Sequence, residues 1–238
     1  VKDLRVLYWR RRSLIFWGLV FLTGGLFFSG WLWWRTQTAY VSKVAPIYQG
    51  DASKKAIALV FNVDWGEEYL PRILDLLAQG KARATFFFTG QWADKFPELV
   101  KKVADAGHEI GNHGYAHLHV NNLKPEEIKR DIKRAEEVLT GLMGRKPALY
   151  APPYGENKPH VINAAAELGY KFILWTINPG DYLPGTKPED IIKTVISHSQ
   201  NGAIVQLHPT AVTTQALTGI IKELRRRGYA LVTVSEIL

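Results

Sequence analysis

Residues 56–66 read AIALVFNVDWG. A short apolar run of this kind, bounded by polar residues, is a buried strand. It ends on Asn62 and Asp64, two polar side chains with nothing apolar to pack. The same pattern recurs down the chain. Apolar runs at 82–89 (ARATFFFT), 108–111, 148–150, 171–177 (KFILWTI), 203–207 (AIVQL) and 229–234 read as strands. Between them lie amphipathic stretches at 67–79, 91–106, 125–142, 158–168, 188–199 and 211–227, which read as helices. Pro125 opens the third of these at its first turn and Gly144 follows its end. Some seven strand–helix units in succession predict parallel strands with right-handed crossovers. That many units usually close into an α/β barrel. An open doubly wound sheet is the alternative, and no GxGxxG follows the first strand to favour it.

The unusual residues gather at one end of these strands. Asn62 and Asp64 end the first, His113 and His117 follow the third, and Pro152-Pro153-Tyr154-Gly155 follows the fourth. Asn178 and Asp181 follow the fifth, and His208 ends the sixth. Barrel active sites are built at the C-terminal ends of strands. Two histidines four residues apart can point at one centre, although two surface histidines have the same spacing. With a carboxylate at another strand end they make a two-His, one-carboxylate set with open positions, the pattern of catalytic zinc. Such an ion polarises a carbonyl and activates water. His208 held by Asp181 suits general-acid work on a leaving amine or alkoxide. A core-edge histidine satisfied by backbone is the plainer alternative.

Composition narrows the class. The chain has 238 residues, 47% hydrophobic and 22% charged, with no cysteine. Wholesale disorder, a disulfide scaffold, a thiol nucleophile and a Cys-ligated zinc site are excluded. Of the net charge of +8, residues 1–53 carry +5. Basicity concentrated at one end reads as membrane topology rather than as a nucleic-acid footprint. Residues 14–34 (LIFWGLVFLTGGLFFSGWLWW) are uncharged, follow Arg10-Arg11-Arg12 and end in a tryptophan cluster. Their length matches a bilayer core of about 30 Å. A cleaved signal peptide is the competitor, but the stretch is long and Gln37-Thr38-Ala39 is a poor cleavage match. The expected organisation is a cytoplasmic basic segment (1–13), a single-pass transmembrane anchor (14–34), a linker (35–53) and an extracellular domain (54–238).

The rim motifs together resemble the polysaccharide deacetylases, the NodB-homology group of carbohydrate esterase family 4, over nearly all of 54–238. FNVDWG (61–66) is similar to the first motif, TFDDG or FDxDWG. HGYAH (113–117) resembles H-[ST]-x-x-H, and APPYG (151–155) resembles RPPYG. DY (181–182) stands where DW is usual, and QLH (206–208) where LxH is usual. The resemblance implies a deformed (β/α)7 barrel that removes N-acetyl (or O-acetyl) groups from a cell-surface polysaccharide, peptidoglycan being the one within reach of the tether. Asp64, His113 and His117 would hold Zn2+, or Co2+, Ni2+ or Fe2+, with water on the ion as nucleophile. His208 would be the general acid, tuned by Asp181. The Tyr154 N–H would stabilise the oxyanion. Pro153, Tyr154, Trp65, Tyr182 and Gln206 would meet the substrate. Trp65, Trp92 and Trp175 are candidates to stack on sugar rings, with Trp175, inside a strand, expected in the core. Arg225-Arg226-Arg227 reads as a helix C-terminus favourable to the dipole.

The departures are as informative. The family's base is an aspartate at the position of Asn62, and an amide does not accept a proton at neutral pH. The arginine that orients that base is Ala151 here. The two losses are linked, because an arginine facing a neutral amide would be an uncompensated buried charge. Gln206 makes the acetyl pocket more polar. Gly114 in place of Ser/Thr reads as a minor change. Three readings follow. One is an active deacetylase that lacks a dedicated base or borrows Glu67 or Glu68. Another is a catalytically impaired glycan- or metal-binding protein on the same fold. The third is a surface structural protein that makes no use of the rim.

Overall fold

Strand β1 (Ala56–Val63) is buried along its whole length, and its side chains sort by size. Ile57, Leu59, Phe61 and Val63 point into the large apolar layer beneath the helices. Ala56, Ala58 and Val60 face a second cluster with Phe87, Ala151 and Ile173. Because side chains alternate along a strand, the next inward position is Asn62. β1 has three parallel partners. β6 (Ile204–Leu207) takes one edge, with Ala58 opposite Ile204. The other edge is shared by β7 (Ala230–Val232) at its start and β2 (Thr85–Phe88) at its end. Beyond β2 follow β3 (Glu109–Asn112), β4 (Leu149–Tyr150) and β5 (Lys171–Phe172), giving the order β5-β4-β3-β2-β1-β6. Every pairing is parallel, as the repeated units predict.

This computed structural model describes residues 23–25, 27–29, 31 and 44–238. The chain divides into two units, Val1–Val41 and Ser42–Leu238. The described residues of the first are helical. Most of the expected anchor at 14–34, and all of the basic segment at 1–13, lie outside the described residues. Among those described, no helix is long and apolar enough to cross a membrane.

The helices are α1 (Leu70–Gln79), α2 (Gly90–Lys95), α3 (Pro97–Asp105), α4 (Pro125–Met143), α5 (Pro159–Glu167), α6 (Pro188–Ser197), α7 (Ala211–Arg226) and α8 (Val234–Ile237). Proline occupies the first turn of α1, α3, α4, α5 and α6. There its missing N–H costs nothing, since that donor has no intrahelical acceptor. The same chemistry splits the expected helix 91–106 in two, because Pro97 cannot continue α2. The expected strand 229–234 stops at Val232, where Thr233 and Glu236 form a capping box that starts α8.

The sheet is curled rather than closed. Among the described residues no ladder joins β5 to β6, and most of the expected strand 171–177 makes single bridges instead. The gap is filled from the N-terminal side. The Ile47 N–H donates to Phe172 O, and the Ile47 carbonyl accepts the Leu174 N–H, both at 2.8 Å. Gln49 bridges Ala203, and Gly50 N–H donates to Gly202 O at 2.8 Å. Gly202 has φ 71°, and a Cβ there would meet the Gly50 carbonyl at 2.7 Å. The linker expected over 35–53 therefore ends earlier: residues 47–50 are part of the barrel.

Two outcomes follow. A chain beginning at residue 51 leaves the facing edges of β5 and β6 without these partners. At about 0.5–1.5 kcal/mol per lost hydrogen bond, its Tm should fall by roughly 5–10 °C against one beginning at residue 42. Equal melting curves would remove the strap from the fold's stability. The second concerns His108, whose buried Nδ1 accepts the Ala84 N–H at 3.2 Å. Burial, assisted by Arg83, pushes its pKa down to about 4. The unfolded chain, near 6.5, then binds the proton first, so stability falls as pH drops from 6.5 and levels off below about 4. Urea titrations across that window should show a slope of up to about 1.4 kcal/mol per pH unit from this residue, and His108→Gln should flatten it.

Candidate active site

A cleft of about 440 Å³ opens at the C-terminal ends of the strands. It brings together eight of the sequence-expected residues, Asn62, Trp65, His113, His117, Tyr154, Tyr182, Gln206 and His208, and adds Trp175 and Asn178. Asp64, Pro153, Asp181, Glu67 and Glu68 are not among the residues that line it.

His208 is held as the sequence suggests, and more firmly. Its Nδ1 lies 2.9 Å from Asp181 Oδ1, and its backbone N–H donates to Asp181 Oδ2 at 2.6 Å. Thr213 Oγ1, in the first turn of α7, donates to the same Oδ2 at 2.6 Å. Asp181 is only 2% exposed. A carboxylate this buried needs donors, and three surround it. With Nδ1 committed to Asp181, Nε2 is the nitrogen left for the cleft. Thr213 is a residue that the sequence reading missed. Its visible trace was Thr210-x-x-Thr213 at a helix start, where Thr210 Oγ1 caps the Thr213 N–H.

His113 follows β3 and extends the ladder through its N–H to Phe88 O. Its Nδ1 is 2.7 Å from the Ala151 carbonyl, so Nδ1 carries the hydrogen and Nε2 keeps its lone pair. Burial, with His117 adding to it, pushes the pKa down to about 3, and the imidazole is neutral at physiological pH. The His117 ring lies edge-on at 5.2 Å between centroids. Burial lowers its pKa as well, and the carboxylate of Asp64 opposes that shift. Asp64 Oδ1 accepts from Thr89 Oγ1 at 2.8 Å.

The loop between the histidines hangs on Asp131 of α4, another residue the sequence reading missed. Its carboxylate accepts the N–H of Tyr115 at 2.9 Å and of Ala116 at 3.2 Å. Burial raises its pKa and those bonds oppose the rise. Gly114 has φ 76°, and a Cβ there would stand 2.5 Å from Asp131 Oδ2. The Gly114 departure is thus a requirement of this loop rather than a minor change.

The donor types suit a divalent ion: two neutral imidazoles, each with a nitrogen to spare, and a carboxylate. Among the described residues, however, no three His, Asp or Glu side chains form a group with the spacing to hold a metal ion as placed. Asn62 is 5% exposed, and its buried Oδ1 has no hydrogen-bond partner among the described residues; the same is true of Gln206 Oε1. Ala151 is buried in the inner apolar cluster. Asn62 and Ala151, the two positions at which the motifs depart, both carry neutral side chains.

Aromatic rings flank His208. Trp65, 43% exposed, lies parallel to His208 at 6.1 Å, and Tyr182 meets its edge at 5.0 Å. Two tryptophans differ from expectation. Trp92 is 4% exposed and stacks on Phe88 in the core, because its register on α2 points it at the sheet. Trp175 lines the cleft while packing on the apolar clusters, and Gly155 leaves it room, since a Cβ there would meet the ring at 2.8 Å. Arg225 caps the carbonyls of Gly80 and Lys81, and Arg226 and Arg227 pair with Glu223.

Comparison with known proteins agrees with this geometry. Residues 49–173 match the family model described as polysaccharide deacetylase. The chain is 37% identical over 193 residues to the uncharacterized protein YlxY of Bacillus subtilis, covering 81% of this chain and 60% of that one. It is 38% identical over 208 residues to a peptidoglycan-N-acetylglucosamine deacetylase of Bacillus cereus, covering 84% and 94%. Among solved structures, a CE4 family pseudoenzyme from Bacillus anthracis superposes with a TM-score of 0.78 at 35% identity, over 81% of this chain and 68% of that one. A mutant of it described as having restored enzymatic activity superposes equally well, at 33% identity over 81% and 71%. On the strand order, the rim and these matches, the chain belongs to the polysaccharide deacetylase family.

Proposed function

We propose that this chain is a metal-dependent hydrolase of N-acetyl groups on a cell-wall glycan of the peptidoglycan class, with His208 as general acid. The observation that carries the reading is the Asp181–His208 pair, set in one cleft with His113 and His117. Relatives named as peptidoglycan-N-acetylglucosamine and peptidoglycan-N-acetylmuramic acid deacetylases support the substrate class. The uncharged run at 14–34 behind Arg10-Arg11-Arg12 supports a membrane-anchored domain on the outer side, where such a glycan is reached.

In this reading Asp64, His113 and His117 would hold Zn2+ or a similar ion, which supplies Lewis-acid polarisation of the acetamide carbonyl and of water. The chain's own residues do the rest. His113 is locked in the right tautomer by Ala151 O. The Tyr154 N–H would stabilise the developing oxyanion. His208 delivers the proton from Nε2 to the leaving sugar nitrogen, while Asp181 holds Nδ1 and stabilises the imidazolium. Trp65 and Tyr182 offer faces to the sugar. Asn62 takes no proton from the attacking water, so that proton passes to bulk solvent, and the lack of a base lowers the rate by about 10²–10⁴-fold against a site that has one.

A second reading has a specific observation behind it. The unpartnered Asn62 oxygen, with an apolar Ala151 buried after β4, suits a site that binds glycan without turning it over. The likeness to a protein described as a CE4 family pseudoenzyme supports it too.

The full chain, loaded with Zn2+ and given peptidoglycan, should release acetate slowly, and His113→Ala should abolish the release. Asn62→Asp with Ala151→Arg should raise it by about 10²-fold or more. A silent wild type beside an active double variant would establish the second reading, and silence in both would sink the first. In whichever form turns over, Asp181→Asn should lower kcat by about 10²-fold or more with little change in KM. Thr213→Val should lower it by about tenfold. An equal rise in KM instead would move Asp181 from the proton transfer to substrate binding.

A further inference from the structure

His117 and Tyr154 share an unusual feature. Each is a non-glycine residue in the left-handed region, with φ 50° and 59°. Such residues persist only where the surroundings over-determine them. The two touch, the Tyr154 ring meeting the His117 ring edge-on at 4.6 Å. Histidine visits this region more readily than most residues, but tyrosine is not among those that favour it, so the local sequence leaves Tyr154 unexplained. The restraint lies two residues further along each segment, at His119 and Glu156.

His119 lies flat on the Tyr154 ring, 3.9 Å between centroids and 9° between planes. Its Nδ1 is 2.9 Å from Glu156 Oε1. Glu156 Oε2 accepts the Asn121 N–H at 2.6 Å, and Asn121 Oδ1 accepts the Lys158 N–H at 3.0 Å. The segment after β3 and the segment after β4 are thus clipped together just outside the cleft. The His119 side chain is 60% exposed, so its loss opens no core cavity.

We propose that His119, clamped by Glu156, is a positioning residue that keeps the His117 and Tyr154 loops in register. The use of that register rests on the deacetylase reading, in which His117 is a metal ligand and Tyr154 an oxyanion donor. The geometry stands without it. The stacking ring fixes the Tyr154 turn, and the carboxylate fixes the ring.

The test compares the full-length wild type with His119→Ala, His119→Phe and Glu156→Gln. The readouts are Tm, amide hydrogen exchange and Zn2+ affinity by chelator competition. His119→Ala should keep Tm within about 2 °C. It should speed exchange at the Gly155 and Glu156 amides, which donate to Pro152 and Pro153 carbonyls, by about tenfold or more. Zn2+ should bind about fivefold more weakly. His119→Phe, which keeps the ring, should restore part of the protection, and Glu156→Gln should fall between wild type and His119→Ala. Unchanged exchange at those two amides overturns the proposal, and so does an equal rise at β1, which would mean a general loss of stability. Local acceleration in a protein that binds no Zn2+ would uphold the latch and count against the metal-dependent reading.

Discussion

The size alternation along β1 is the constraint from which the rest follows. Seven parallel strands curl tightly, and the space they enclose admits only small side chains near its base. Ala56, Ala58 and Val60 meet that limit, while Ile57, Leu59, Phe61 and Val63 fill the layer beneath the helices. A slip of one residue would drive Phe61 into the interior and strand three small residues under the helices. Register is therefore tightly specified, and it carries Asn62 to the top of the interior and Asp64 to the rim. The neighbouring strand, TFFF, cannot sort by size, and room is made on its partner instead. Phe87 enters the interior beside Gly111, where a Cβ would meet its ring at 2.3 Å.

Charge is distributed in the cleft by the cost of desolvation. Where a carboxylate is buried it is surrounded by donors: three for Asp181 and two backbone amides for Asp131. Where donors are missing the side chain is neutral, as at Asn62, Gln206 and Ala151. An arginine introduced alone at 151 would stand among apolar side chains in a buried place without a counter-charge, at a cost of several kcal/mol. An aspartate restored alone at 62 would lack the donor that Asn62 Oδ1 already lacks. Each single change is opposed by the same desolvation penalty, and only the pair is electrostatically balanced.

Much of this could be read from the chain. Continuous apolar runs marked the strands, and polar residues at their ends marked the rim, because a buried parallel strand has no other reason to finish on Asn, Asp or His. The failures have physical causes too. The strap at 47–50 holds one buried-type residue, Ile47, and bonds through its backbone, which leaves no side-chain pattern. The strand expected over 171–177 is apolar because it is buried, yet it faces the strap and β6 by single bridges rather than a ladder. Asp131 sits in a highly charged helix, where one more acid looks like solvent-facing surface. Thr213 reads as a helix cap, and its second bond to Asp181 spans 32 residues. Gly114 looked incidental because the atom that forbids a side chain there belongs to Asp131.

The two ends of the cleft are under different demands. A buried carboxylate with three donors is not a default of folding: an apolar replacement of similar volume is often as stable or more so. Asp181 also commits Thr213, the turn at Gly180 and the Asn178 side chain that accepts the Gly180 N–H. Stability alone gives no reason to assemble this around the Nδ1 of one histidine. The arrangement makes sense where a histidine must present Nε2 in a fixed direction to something in the cleft. The wall at Asn62 follows the opposite logic, with a neutral amide whose buried oxygen has no partner among the described residues. The geometry gives a cleft in which one histidine, His208, is held firmly through its Nδ1, while Asn62 on another wall has a buried oxygen with no partner among the described residues.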